Sequence, residues 1–462
     1  MKSIRFYLVL FICNSLYLFG QNSPTEFSFN EFLGYVKKYH PLVKQADLKL
    51  NEAQANLMLA RGAFDPKIEV DFSEKQFKDK NYYSILNSSF KIPTWYGIEL
   101  KAGFDNTEGI YMNPENTLPN TGLTSVGISV PIGQGLLINQ RMADLRKAKV
   151  AQNLNAAERN LQAIEVLYDS SISYINWKRS FDEVKLYENY LENALFRYEG
   201  VTKLINQGDK PAIDSVEAGI VVKTRRLNLE DAKLKFIKSK LDLSNYLWLE
   251  NNIPLELKDE LEPERTLAST IKEALQINEL GIIDLDNHPK IKAFDAKINM
   301  LKIEKQLKAN ALLPKLDLSY NYLSEPSAFE EYRFEDYIIG VNFSIPIFLR
   351  KERAGLKLAK LKIQDTEFSL QFERKNLENK LKSQQQEIIS LQKQQVYNNQ
   401  LVADFKQLLT SEDRLFNMGE SSLFLINSRE NALVTSQLNE IALENRYFNS
   451  ILGLFKTIAQ PQ

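Results

Sequence analysis

This chain repeats its own landmarks in the same order, which limits it to folds that can use one supersecondary unit twice. His40-Pro41 returns as His288-Pro289, 248 positions on, and Ala63-Phe64-Asp65-Pro66-Lys67-Ile68 returns as Ala311-Leu312-Leu313-Pro314-Lys315-Leu316 at the same offset. Pro131-Ile132, after Gly127-Ile128-Ser129-Val130, is matched by Pro346-Ile347 at an offset of 215, so the first copy carries 33 extra residues between its two prolines. Asn206-Gln207-Gly208-Asp209 is matched by Asn417-Met418-Gly419-Glu420, 211 positions on. These offsets give repeat 1 at 21–250, an Asn-, Pro- and Glu-rich linker at 251–285, and repeat 2 at 286–456.

Within each repeat the hydrophobic period switches. Before Pro66 and Pro314 it is helical, with Pro41 and Pro289 suited to a first helical turn. After them it becomes alternation. Ile68, Val70 and Phe72 oppose Lys67, Glu69 and Asp71; Leu316, Leu318, Tyr320 and Tyr322 oppose Lys315, Asp317, Ser319 and Asn321. Ile339, Val341, Phe343 and Ile345 oppose Gly340, Asn342 and Ser344. Such segments suit either a half-buried sheet or transmembrane strands with lipid on one side and water on the other. The 33 extra residues read as an added hairpin, 83–92 and 96–104 around Pro93-Thr94, lying in the sheet or folded over its mouth. The expectation is about four strands in 67–131 and two in 315–347. External loops are expected at 106–121 and at 324–336, the latter with Glu330, Glu331, Glu335 and Asp336.

The segments that follow are heptad-patterned. Leu154, Leu161, Tyr168 and Ile175 recur every seven residues, as do Ile220, Leu227, Leu234, Leu241 and Trp248. So do Leu356, Ile363, Leu370 and Leu377, and then Val434, Ile441, Phe448 and Phe455. Sustained heptads predict coiled-coil packing. A run without proline from Ile138 to Asn206 allows a helix of about 100 Å. Gly208 and Gly419 divide each stretch into an antiparallel hairpin, at 138–249 and 352–456.

Lys2 and Arg5 precede an apolar run over 6–19, with Gly20-Gln21 after it, the pattern of a signal peptide at 1–20. The single cysteine, Cys13, lies within that run, so the mature chain is expected to carry no disulfide or thiol chemistry. Charges balance, 58 Lys+Arg against 59 Asp+Glu, which argues against a nucleic-acid partner. No later apolar run approaches the ~20 residues of a membrane helix. The only histidines, His40 and His288, stand beside proline at equivalent positions and read as helix starts, not metal ligands. No nucleophile sits with a base, so neither catalysis nor a cofactor is expected. Glu444-Asn445-Arg446 and the many Glu/Lys pairs read as solvated helix faces.

Six strands are too few for a water-filled barrel, since known ones begin at about eight, so copies must complete one another. The duplicated helix–strand–strand–helix–turn–helix order, with Phe416-Asn417-Met418-Gly419-Glu420-Ser421-Ser422-Leu423 and Pro131-Ile132-Gly133-Gln134-Gly135, resembles the TolC family of outer-membrane efflux proteins. The resemblance implies a mixed α and transmembrane β fold: a long coiled-coil α-barrel in the periplasm and a trimeric β-barrel in the outer membrane. It implies a homotrimer in outer-membrane lipid, working with a periplasmic adaptor (membrane fusion) protein and an inner-membrane transporter. It also locates the closed end at the tip turns Gly208 and Gly419. Asp214 falls where the family has an acceptor Asp, Phe416 and Ser421 where it has Tyr and Arg donors, and Leu425 and Ser428 where it has constricting acidic residues. With donors and acids replaced, the tip is expected to close through Phe416, Leu423, Phe424 and Leu425. The alternative is an exported coiled-coil adaptor or adhesin without a barrel; an adaptor carries one hairpin between compact β-domains, whereas two are expected here.

Overall fold

The computed structural model describes residues 25–277, 285–328 and 333–459; the expected signal peptide, Glu330 and Glu331 lie outside the described residues. In chain order the main elements are β1 (Thr25–Phe27), α1 (Phe29–Tyr39), α2 (Pro41–Gly62), β2 (Lys67–Phe77), β3 (Lys80–Pro93), β4 (Glu99–Glu108), β5 (Leu123–Pro131), α3 (Gln140–Asn206) and α4 (Ile213–Ser244). There follow β6 (Leu261–Pro263), α5 (Leu267–Ala274), α6 (Pro289–Asn310), β7 (Lys315–Ser324), β8 (Tyr337–Ser344), α7 (Arg350–Asn417) and α8 (Leu423–Ile458). They form two compact units, one from Ala46–Leu161 and Asp284–Asn376, the other from Met1–Gln45, Gln162–Ile283 and Leu377–Gln462.

The first unit holds a six-stranded sheet in the order β2-β3-β4-β5-β7-β8. Every neighbouring pair is antiparallel, and the two repeats meet at β5–β7. The extra segment of repeat 1 therefore lies within the sheet, as β3 and β4. Strand β4 begins at Glu99, later than expected, because Thr94 N bonds to Ile98 O (2.8 Å) and Gly97 turns the chain at φ +77. Gly127 is required by close approach: a Cβ there would collide with Asn321 and the Tyr320 carbonyl of β7. Below the sheet, Ile138, Met142 and Ala143 pack with Trp95, Ile303 and Leu307. Asn139 Oδ1 caps α3 by accepting from Met142 N at 2.9 Å.

The second unit centres on Phe29, Phe32, Tyr174 and Trp177, all fully buried. Tyr174 fastens the linker to the first strand: its hydroxyl donates to Phe27 O (2.6 Å) and accepts from Glu264 N (3.1 Å). Glu264 accepts from Phe29 N at 2.9 Å, and β1 pairs in parallel with β6. The linker thus contributes a strand and a short helix to this core.

The heptad run of the first hairpin was expected to carry α4 through Trp248, but the helix stops at Ser244. Leu247 turns inward, Trp248 bridges to Pro254, and Tyr246 and Trp248 close over the His40 ring. Aromatic packing and a bridge replace the last helical turn.

Both histidines act at helix starts. His288 Nδ1 accepts from Lys290 N at 3.1 Å, and His40 Nδ1 accepts from Leu42 N at 3.2 Å, which only a neutral imidazole can do. Burial holds the His40 pKa below its ordinary value, opposed by a bond to the Asn245 backbone. A depressed folded pKa means that the unfolded chain takes the proton first, so this stability is present above about pH 6.5 and is lost as pH falls toward the folded value. His40→Asn keeps a cap acceptor without the titration. Between pH 7.5 and 5.5 the wild type should lose more stability than His40→Asn, read from thermal midpoints.

Candidate functional site

The strand register sorts the sheet into two unlike faces. Ile68, Phe90, Ala102, Val126, Tyr322 and Tyr337 form one cross-strand row, and Phe72, Leu86 and Asn106 form part of another on the same side. Val70, Leu100, Ile128, Leu318, Val341 and Phe343 extend this apolar face, and large side chains on it are solvent-exposed, Ile68 at 76%. The opposite face carries Glu69, Asp71, Lys91, Lys101, Asp105, Ser129, Asp317, Ser319 and Asn342. Lys91 pairs with Glu69, and Arg141 reaches Glu99 at 2.6 Å. Every residue of the edge strand β2 is exposed, and so is nearly all of β8. The sheet therefore has two open edges and an uncovered apolar face.

The second set of site residues lies at the hairpin turns. Gly208 and Gly419 both have positive φ, +84 and +82, which a side chain would strain. Asp214 stands in the first turn of α4 and makes no ion pair among the described residues; its backbone N donates to Pro211 O. Phe416 is packed within the chain against Val201, Ala218 and Leu423, with the Lys210 ammonium 4.7 Å from its ring centre. Ser421 donates to Glu412, and Ser422 caps α8. Phe424 and Leu425 face outward, Phe424 at 68% exposure, and Ser428 is exposed as well. The four residues expected to close the tip thus divide into an inward pair and an outward pair.

The helix faces also bury charges that sequence reasoning did not single out. Glu430 is 1% exposed, and Arg197 meets it at 2.7 Å and Asp413 at 3.9 Å. Arg225, also buried, donates to Asn431 Oδ1 at 2.6 Å and lies over the Tyr190 ring, whose hydroxyl bonds to Gln437. One network thereby links α3, α4, α7 and α8. Burial pushes Tyr190 up to about 12, with Glu430 adding to the shift, and burial also raises Asp413. Likewise Asn445 is buried against Ile175 O, and Glu444 pairs with Lys178 at 3.2 Å. A signal for the network exists in the sequence: Ala218, Val222, Arg225, Leu229 and Ala232 follow three–four spacing, as do Leu423, Ile426, Glu430 and Leu433.

Among the described residues no group of three His, Cys, Asp or Glu is placed to hold a metal, and no helix is long and apolar enough to cross a membrane. No protein-family model matches the sequence, and no curated protein matches it. Solved structures do match. The Neisseria gonorrhoeae MtrE outer membrane channel in its open state aligns with a TM-score of 0.68 at 12% identity, over 94% of this chain and 89% of that one. The chain has the fold of the TolC-like outer-membrane channels. The Campylobacter jejuni CmeC outer membrane channel aligns at TM-score 0.65 and 14% identity, covering 93% of this chain and 85% of that chain. The Vibrio cholerae outer membrane protein VceC gives 0.65 and 14%, covering 93% and 95%.

Removing Arg197 would leave the buried Glu430 carboxylate without the cation that meets it at 2.7 Å. Arg197→Ala should therefore speed hydrogen exchange in α8 around Glu430 markedly, while Asp214→Ala leaves exchange at the tip nearly unchanged.

Proposed function

We propose that the chain is one protomer of a homotrimeric outer-membrane channel, the exit duct of a tripartite efflux pump or type I secretion system. The observation that carries this reading is the sheet, apolar on one face, polar on the other, and unpaired at both edges. Six antiparallel strands leave β2 and β8 running in opposite directions, so copies arranged in a ring continue the same ladder. Three copies supply about eighteen strands, a number that encloses an aqueous channel in known barrels. The apolar face then meets outer-membrane lipid and the polar face lines the pore.

The helices supply a second argument. Ile220, Leu227, Leu234 and Leu241 keep the expected heptad spacing, yet all four are exposed in the protomer, Leu227 at 72%. Such a stripe needs a partner helix, and neighbouring copies provide one in a periplasmic α-barrel. An adaptor or adhesin would leave this stripe and the sheet's apolar face uncovered. The family resemblance adds the partners, a periplasmic adaptor protein and an inner-membrane transporter. The role is transport and not catalysis, and it calls on no cofactor, metal or nucleic acid.

At the tip, three copies of Phe424 and Leu425 around one axis form an apolar closure, with Asp214, Phe416, Ser421 and Ser428 outside it. The mature protein should fractionate with the outer membrane, resist carbonate extraction, and form channels in planar bilayers. Recovery in the soluble periplasmic fraction would overturn the assignment. In the same recordings Phe424→Ser or Leu425→Ser should raise the open fraction several-fold, and Asp214→Ala should leave it nearly unchanged; opening by Asp214→Ala alone contradicts the apolar closure.

A further inference from the structure

The polar face of the sheet is not uniformly polar. Lys67 faces Lys91, Lys91 faces Lys101, and the row continues through Gly127 and Asn321 without a carboxylate. Like charges directly opposed across strands destabilise a sheet, so three adjacent lysines carry a cost that the fold itself does not require. The carboxylates of the two adjoining rows are already engaged: Glu69 holds Lys91, and Glu99 accepts from Arg141 at 2.6 Å. Among the described residues neither Lys67 nor Lys101 lies within ion-pair distance of a carboxylate. The band therefore sets four cations, Lys67, Lys91, Lys101 and Arg141, against two anions.

Its surroundings do not cancel that excess. Asp317 is paired with Lys315 at 3.8 Å. The acidic row of Asp71 and Asp105 is four residues farther along the strands, about 14 Å away, beyond the ~8 Å screening length of physiological salt. Lys101 also opens on a concavity of about 730 Å³ whose wall joins Ser129, Ser319 and Asn342, groups able to donate to an anion, to the cations Arg141 and Lys315 and their engaged carboxylates Glu99 and Asp317.

From this register we infer that Lys67, Lys91 and Lys101 form a cationic belt inside the pore that binds anionic solutes, carboxylates or phosphate esters, on their way out. The inference rests on the channel reading above: in a ring of three protomers the belt recurs three times around one lumen. Rings of basic side chains favour anions by raising their local concentration at the wall. Lys67 and Lys101 are the selective elements, and Lys91 is partly neutralised by Glu69.

The test uses the full-length channel in planar bilayers at about 0.1 M salt, where screening extends ~10 Å, with inorganic tripolyphosphate as the probe. Tripolyphosphate should reduce wild-type current. The concentration giving half-block should rise about tenfold in Lys67→Gln/Lys101→Gln, as several ion-pair contacts are lost at once. Lys67→Arg/Lys101→Arg, which keeps the charge, should block like the wild type. Open wild-type channels indifferent to tripolyphosphate, or equal half-block in the wild type and the glutamine variant, overturn the belt alone. A wild-type preparation that forms no channels overturns the pore reading and this inference with it.

Discussion

Everything in the sheet unit depends on what an open β-edge costs. Each unpaired backbone N–H or C=O in hydrocarbon costs several kcal/mol, and β2 and β8 present whole rows of them on either side of an apolar face. In water the same protomer would instead expose Ile68, Val70, Phe72, Val341 and Phe343 together. Neither solvent suits one copy alone. The proposed ring of copies in lipid would resolve both problems with one arrangement, because the even number of alternating strands makes the two edges mutually antiparallel.

The helical unit separates two kinds of contact. Ala218, Val222, Leu229 and Ala232 are buried on the same face of α4 as Arg225. The larger apolar residues of the same helix, from Ile220 to Leu241, face outward. The ionic network thus ties the helices of the hairpins to each other, and the apolar stripe is the face that the proposed assembly would cover. A buried ion pair contributes little net stability but makes its own removal costly, which suits a contact that sets geometry.

Period-two alternation was legible because it is a local property: Ile68, Val70 and Phe72 point one way in β2 whatever surrounds them. The heptads revealed helices but not their partners, since spacing shows that a face is apolar and not what covers it; hence the exposure of Leu227 was invisible. Trp248 continued the spacing after the helix had ended, with no proline or glycine before it to mark the stop. Glu430 and Arg197 lie 233 residues apart, so their pairing and the burial of Glu430 are products of packing that charge counting along one helix misses. At the tip, adjacent residues of one type diverge, Leu423 inward and Phe424 outward, because Ser422 starts the helix and fixes the face each presents.

The central claim, that β2 of one copy pairs with β8 of the next, is open to a direct chemical measurement. Cys13 is the only native cysteine and lies in the expected signal peptide, so engineered cysteines report cleanly. Asp71→Cys in β2 would be combined in turn with Gly340→Cys, Asn342→Cys and Ser344→Cys in β8, the membranes oxidised, and the product sized on a non-reducing gel. At least one pair should give a covalent trimer reversed by reductant, while each single cysteine gives none. Only monomer across all three pairs, in protein recovered folded from the outer membrane, would contradict it.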